Sequence, residues 1–253
     1  FNKYYKSKYF LIFFSLISSL FLLNFLCELF VDVKIEQEQF NRSAYYISKG
    51  WTWDDRNKKE FIEDLKIETG NKNIFTNSNY RYVIKFRGND SYIDLDNKKY
   101  TFALSNISNS IIVQCKESGK WENWISDKHG FHNPKKIYNF ENKYIALLGD
   151  SFVEGSCVKS GDDVSNQLRK MQYNVLNLGR AAGGVIYANA VYREYKNYLS
   201  TKKPDYVFLM LYGGNDLEDT YKEFQTPIIK NYFYDENYNN DLVNKQEKID
   251  KFW

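Results

Sequence analysis

Three short segments carry groups that could act together on one carbonyl carbon: Gly149-Asp150-Ser151, Gly179-Arg180 and Gly213-Gly214-Asn215-Asp216. A serine hydroxyl can attack an acyl carbon. Backbone N–H groups and an asparagine amide can hold the oxyanion that follows, usually the largest contribution in such sites. In this reading the Ser151 hydroxyl attacks, the Gly179 N–H and the Asn215 side chain face the oxyanion, and Gly149, Asp150, Gly213 and Asp216 support them. A residue without Cβ at position 179 lets backbone approach that oxyanion closely. Each segment alone also fits a turn, with Asp150, Ser151 or Asn215-Asp216 capping a helix. All three in this order favour catalysis. Two rival motifs are excluded: GxSxG needs glycine where Val153 stands, and no Gly-Lys-Ser/Thr follows Gly149.

Bringing these segments together is the work of buried strands. Ile145–Leu148 and Tyr206–Tyr212 are continuous apolar runs, and residues 174–178 (NVLNL) form a third strand candidate; each closes on glycine. Continuous runs suit strands buried on both faces of a parallel sheet. Between them, Val164, Leu168 and Met171, and then Tyr187, Val191, Tyr195 and Tyr198, fall at helical spacing. Strand, helix, strand, helix, strand is an α/β pattern, and its ligand site lies beyond the carboxyl ends of the strands.

With those elements in place, residues 145–155 (IALLGDSFVEG) resemble block I of the SGNH (GDSL) hydrolase family, residues 174–179 (NVLNLG) block II, and Gly213-Gly214-Asn215-Asp216 the GxND of block III. Residues 127–134 (DKHGFHNP) resemble a segment found ahead of block I in membrane-anchored bacterial members. The resemblance covers about residues 126–220 and implies a flavodoxin-like parallel sheet, incomplete at the C-terminus, with Ser151 as nucleophile and an oxyanion hole of the Ser151 N–H, the Gly179 N–H and the Asn215 side chain. The family closes its site with a C-terminal D-x-x-H base. Here the histidines are His129 and His132, both ahead of Ser151, so the base is expected beyond residue 253. His129-x-x-His132 lacks a third histidine, and neither a metal nor a cofactor is expected. Arg180 is read as contacting an anionic substrate group or solvent, and Glu154 and Asp219 as solvated or capping charges.

The remaining features set the context. Lys+Arg number 35 against 32 Asp+Glu, a net charge of +3, too even for a nucleic-acid binder. The cysteines are Cys27, Cys115 and Cys157, an odd number without CxxC spacing, so no disulfide framework or structural zinc is expected and Cys157 is read as a packing residue. Residues 10–27 carry no charge, follow Lys3, Lys6 and Lys8, and precede an acidic stretch; they read as an uncleaved transmembrane anchor with a cytoplasmic N-terminus. The expected organisation is a cytoplasmic stub and anchor at 1–31, a β-rich appendage at 32–125, with strands at 80–86 and 111–115, and a partial hydrolase-like domain at 126–253. That arrangement places the domain outside the cytoplasm at the plasma membrane. The expected substrate is an acyl ester, with O-acetyl groups of cell-surface polysaccharide suggested by that location. The same nucleophile would serve an O-acetyltransferase, and the same cleft a non-catalytic binding module.

Overall fold

The computed structural model describes residues 2–77, 93–94, 100–101, 103–135, 137–138, 142–196 and 203–252. The strand expected at 80–86 and Tyr198 of the second helical stripe lie outside the described residues. The chain divides into two compact units, Phe1–Trp53 and Asp54–Trp253.

The first unit is helix α1 (Asn2–Ser48) and the turn after it, where Tyr46 meets the rings of Trp51 and Trp53 at centroid distances of 5.3 and 5.5 Å. This corrects the expected anchor: among the described residues, no helix is long and apolar enough to cross a membrane. Ser15, Ser18, Ser19 and Asn24 dilute the apolar run, and α1 does not end at its border but continues through the charged stretch to Ser48. The membrane partnership and the single-pass placement at the plasma membrane fall with the anchor.

In the second unit, α2 (Lys58–Thr69) opens with a capping box in which the Asn57 side chain and the Glu60 N–H, and the Glu60 carboxylate and the Asn57 N–H, satisfy one another. Strands β1 (Ile74–Thr76), β4 (Ile111–Val113) and β5 (Asn123–Ile125) form one sheet in the order β1-β4-β5, its first pair parallel and its second antiparallel. Strands β2 (Ile93–Asp94) and β3 (Tyr100–Thr101) make an antiparallel pair.

The second three-stranded sheet is wholly parallel, in the order β7-β6-β8, from β6 (Ile145–Leu148), β7 (Val175–Asn177) and β8 (Tyr206–Leu209). Helix α3 (Ser151–Glu154) follows β6, α4 (Val164–Lys170) leads to β7, α5 (Val185–Tyr195) lies between β7 and β8, and α6 (Asp216–Phe224) and α7 (Pro227–Tyr234) follow β8. A 3-10 turn at Val243–Lys245 leads into α8 (Gln246–Phe252). The main core gathers Leu148, Leu176 and Leu178 from the sheet side, Tyr187, Val191 and Tyr195 from α5, and Ile229 and Tyr232 from α7.

The fold class is therefore corrected. In place of one flavodoxin-like sheet with an anchor and a β-rich appendage stands a mixed α/β arrangement of small sheets, and residues 32–125 carry the end of α1 and all of α2 beside their strands. Each apolar run supplies only three or four residues of strand. The reading of β8 as buried on both faces also changes: β8 is an outer strand, and residues 206–212 are 37–57% exposed.

Candidate active site

Gly149 ends β6 with φ +153°, and a Cβ there would lie 2.6 Å from Val153 Cγ2 and 2.8 Å from the Met210 carbonyl oxygen. Only glycine fits between α3 and the chain leaving β8. Asp150 then caps α3, its carboxylate accepting from the Phe152 N–H at 2.9 Å, and Ser151 is the first helical residue. Ser151 Oγ lies 3.4 Å from Asp150 Oδ2, a long and weak contact. Ser151 lines a cleft of about 460 Å³ together with Phe152, Ser156 and Ala181 on its own side and Lys58, Asn77 and Gln114 from the upstream segment.

Asp216 is buried and accepts from the Tyr212 N–H at 2.6 Å. Burial pushes its carboxyl up from the ordinary value, and the negative charges of Asp150 and Asp219 and a hydrogen bond with Asp150 reinforce that rise against the Tyr212 amide. Two of the three expected oxyanion donors are otherwise engaged. Gly179 N–H donates to Asn177 Oδ1 at 2.8 Å within its own turn, and Asn215 Nδ2 donates to Asp219 Oδ2 at 2.9 Å. A Cβ on Gly179 would sit 2.5 Å from the Glu154 backbone nitrogen, so this glycine lets α3 pack down on the strand end. Gly213 is exposed with open space around it.

Behind Ser151, Glu154 and Arg180 form an ion pair at 3.2 Å with both side chains 1% exposed, so neither charge is solvated and Arg180 meets a carboxylate of its own chain. Glu154 also accepts from Asn77, Asn106, Ser156 and the Ala181 N–H at 2.7–3.2 Å. The reading of Cys157 as a packing residue is likewise corrected: it forms a disulfide with Cys115, and both cysteines line the cleft. The odd cysteine count misled. Cys27, in α1, is the unpaired one, which leaves two cysteines to bond.

Neither histidine faces the cleft. His132 stacks on Trp124 at 4.5 Å and its Nδ1 lies 2.9 Å from the Glu154 carbonyl. The segment that holds both histidines is a brace. Asp127 accepts from the N–H groups of His129 and Phe131, from Asn133 and from the Tyr138 hydroxyl, so its buried carboxylate closes a tight loop. Asn133 then exchanges two hydrogen bonds of 2.8 Å with the backbone of Asn177, extending the β7 edge by one side chain.

His129 is buried between the rings of Tyr138 and Tyr195, and neither ring nitrogen has a hydrogen-bond partner among the described residues. Burial, with help from the Lys128 charge, pushes its imidazole down to about 4 from 6.5. The sign follows directly. Above about pH 6.5 both folded and unfolded states hold it neutral; as pH falls toward 4 the unfolded state takes the proton first, and stability is lost. About 3 kcal/mol is expected to disappear across that window. Urea unfolding of wild type and His129→Phe at pH 7 and pH 4.5 checks this. The variant should lose distinctly less on acidification; equal losses would mean that the imidazole is solvated. Comparing the two proteins cancels Asp127, whose carboxyl burial raises and whose contribution therefore runs in the opposite direction.

Fold and cleft define a mixed α/β protein with a serine at the end of a parallel strand, on the lining of a cleft. No protein-family model matches the chain, and no curated protein sequence or solved structure does.

Proposed function

We propose that the cleft is an ester hydrolase site in which the Ser151 hydroxyl attacks the carbonyl carbon of an acyl ester. The observation that carries this reading is the placement of Ser151: first residue of the helix after β6, at the carboxyl edge of a parallel sheet, lining a cleft of about 460 Å³. The ordered resemblance to three SGNH segments supports it. With the anchor corrected, the reason for naming polysaccharide acetyl groups is gone, and the substrate class is acyl esters without further restriction.

One observation favours a second reading, a module that binds esters without turning them over. Neither His129 nor His132 serves Ser151 as a base: both are held in the brace away from it. A serine hydroxyl without a base is a poor nucleophile, since general-base help is worth about 10²–10⁴-fold. If an imidazole is what the site needs, one added to solution should substitute for it. Fluorophosphonate labelling followed by intact-mass and peptide analysis is expected to mark Ser151, and phenyl acetate hydrolysis should rise with added imidazole beyond the rise seen for Ser151→Ala. If neither labelling nor a Ser151-dependent rise is observed, the cleft is a binding site only.

A further inference from the structure

We infer that the cleft beside Ser151 recognises a carboxylate, held by Lys58 Nζ and Gln114 Nε2, so that the ester it accepts carries an acid group a few bonds from the scissile carbonyl. The choice of substrate rests on the hydrolase reading; the carboxylate site does not.

Two side chains with unsatisfied donors line this cleft. Gln114 lines it while only 3% exposed. Its Oε1 accepts from the Cys157 N–H at 3.1 Å, and only an oxygen can accept there, so the amide orientation is fixed. Nε2 is then left buried without a partner among the described residues. A buried N–H₂ without an acceptor costs about 1–3 kcal/mol, which a ligand oxygen would recover. Lys58 lines the same cleft, half-buried, with its ammonium 5.5 Å from the Trp121 ring and no hydrogen bond or ion pair among the described residues. Burial pushes that ammonium below its ordinary pKa, as it would for a charge short of counter-ions. Neighbouring groups show the contrast. Lys116 spends its ammonium on the carbonyls of Asp54 and Arg56, and Asn77 spends both ends of its amide on Glu154 and Arg180. The one acid in the lining, Glu117, is exposed, where water and salt screen it. A cation and an amide donor on the lining of one cleft suit a group with two acceptor oxygens and a negative charge.

Titration calorimetry with glutarate, and with neutral glutaramide as its uncharged counterpart, tests this on the 253-residue chain. Glutarate is expected to bind wild type and Ser151→Ala alike, and glutaramide at least about tenfold more weakly. Lys58→Met should weaken glutarate about tenfold while Lys58→Arg keeps most of the affinity. Gln114→Glu keeps the acceptor for Cys157 but replaces the donor with a negative charge, and should abolish binding. Should that buried substitution unfold the protein, the Lys58 pair decides alone, because that side chain is half-exposed and its loss is tolerable. Equal binding of glutarate and glutaramide, unchanged affinity in Lys58→Met, or no glutarate binding overturns the inference. Binding by Ser151→Ala keeps the two readings apart: failed hydrolysis with intact charge selection sinks the hydrolase alone, whereas Ser151 labelling without charge selection sinks the carboxylate site alone.

Discussion

Replacing Glu154 by alanine is expected to cost about 3–5 kcal/mol of folding stability, because it strands a buried cation. The Arg180 and Glu154 side chains are each 1% exposed, so water cannot take over from the lost carboxylate. The amides of Asn77 and Asn106, the Ser156 hydroxyl and the Ala181 N–H lose an acceptor in the same step. Glu154→Gln should cost less, since one oxygen still accepts, but it removes the charge and turns one acceptor into a donor facing other donors. The double variant Glu154→Leu/Arg180→Met is the informative one. Replacing a buried pair by apolar residues is often neutral, yet here the Asn77 and Asn106 amides would still lack their acceptor, so the double variant should stay below wild type. Urea unfolding followed by circular dichroism measures all three. A loss below about 1 kcal/mol for Glu154→Ala would place the pair among solvated surface bridges. The network also links distant pieces of chain: Asn77 follows β1, Asn106 precedes β4, Glu154 ends α3 and Arg180 follows β7. Its loss is expected to loosen the wall of the cleft as well as the fold.

Legibility in the sequence followed the range of the forces involved. β6, β7 and β8, and the helices between them, stand where short apolar runs and helical spacing place them, because those patterns are local. The capping role open to Asp150 was equally local and is present. What lies on the far side of a strand is not local. Residues 206–212 have the composition of an interior strand, yet neighbours decide exposure, and β8 is an outer one. Residues 10–27 carry an apolar signal, but the helix they belong to runs on to Ser48 with hydroxyls and an amide in its apolar part. Glu154 and Arg180 look like surface charges in sequence since their partners lie as far as 103 positions away. Lys58 and Gln114 carry no motif at all; only the fold brings them to Ser151. The oxyanion role given to Gly179 depends on where one N–H points, and that is set by the Asn177 side chain two residues back.

Breaking the Cys115–Cys157 disulfide is the second large effect expected. The bond spans a sequence separation of 42 residues and joins the chain after β4 to the loop after α3. Closing a loop of that length restricts the unfolded chain by about 4 kcal/mol in the chain-entropy account. Little of this should be lost from native contacts, because the Cys157 N–H still donates to Gln114 Oε1 and ties the same two segments. Cys115→Ser/Cys157→Ser is therefore expected to fold to the same structure with a lower urea midpoint, and dithiothreitol should shift wild type to that midpoint while leaving the double variant unmoved. Cys27→Ser, whose thiol is exposed and unpaired, should unfold like wild type in both conditions. Coincident midpoints for oxidised and reduced wild type would show that the crosslink does not constrain the unfolded chain. A drop well beyond about 4 kcal/mol would instead mean that the bond holds native packing at the cleft. Amide exchange would then locate that packing, because protection would fall at Gln114 and Cys157 before it fell in β6 or α5.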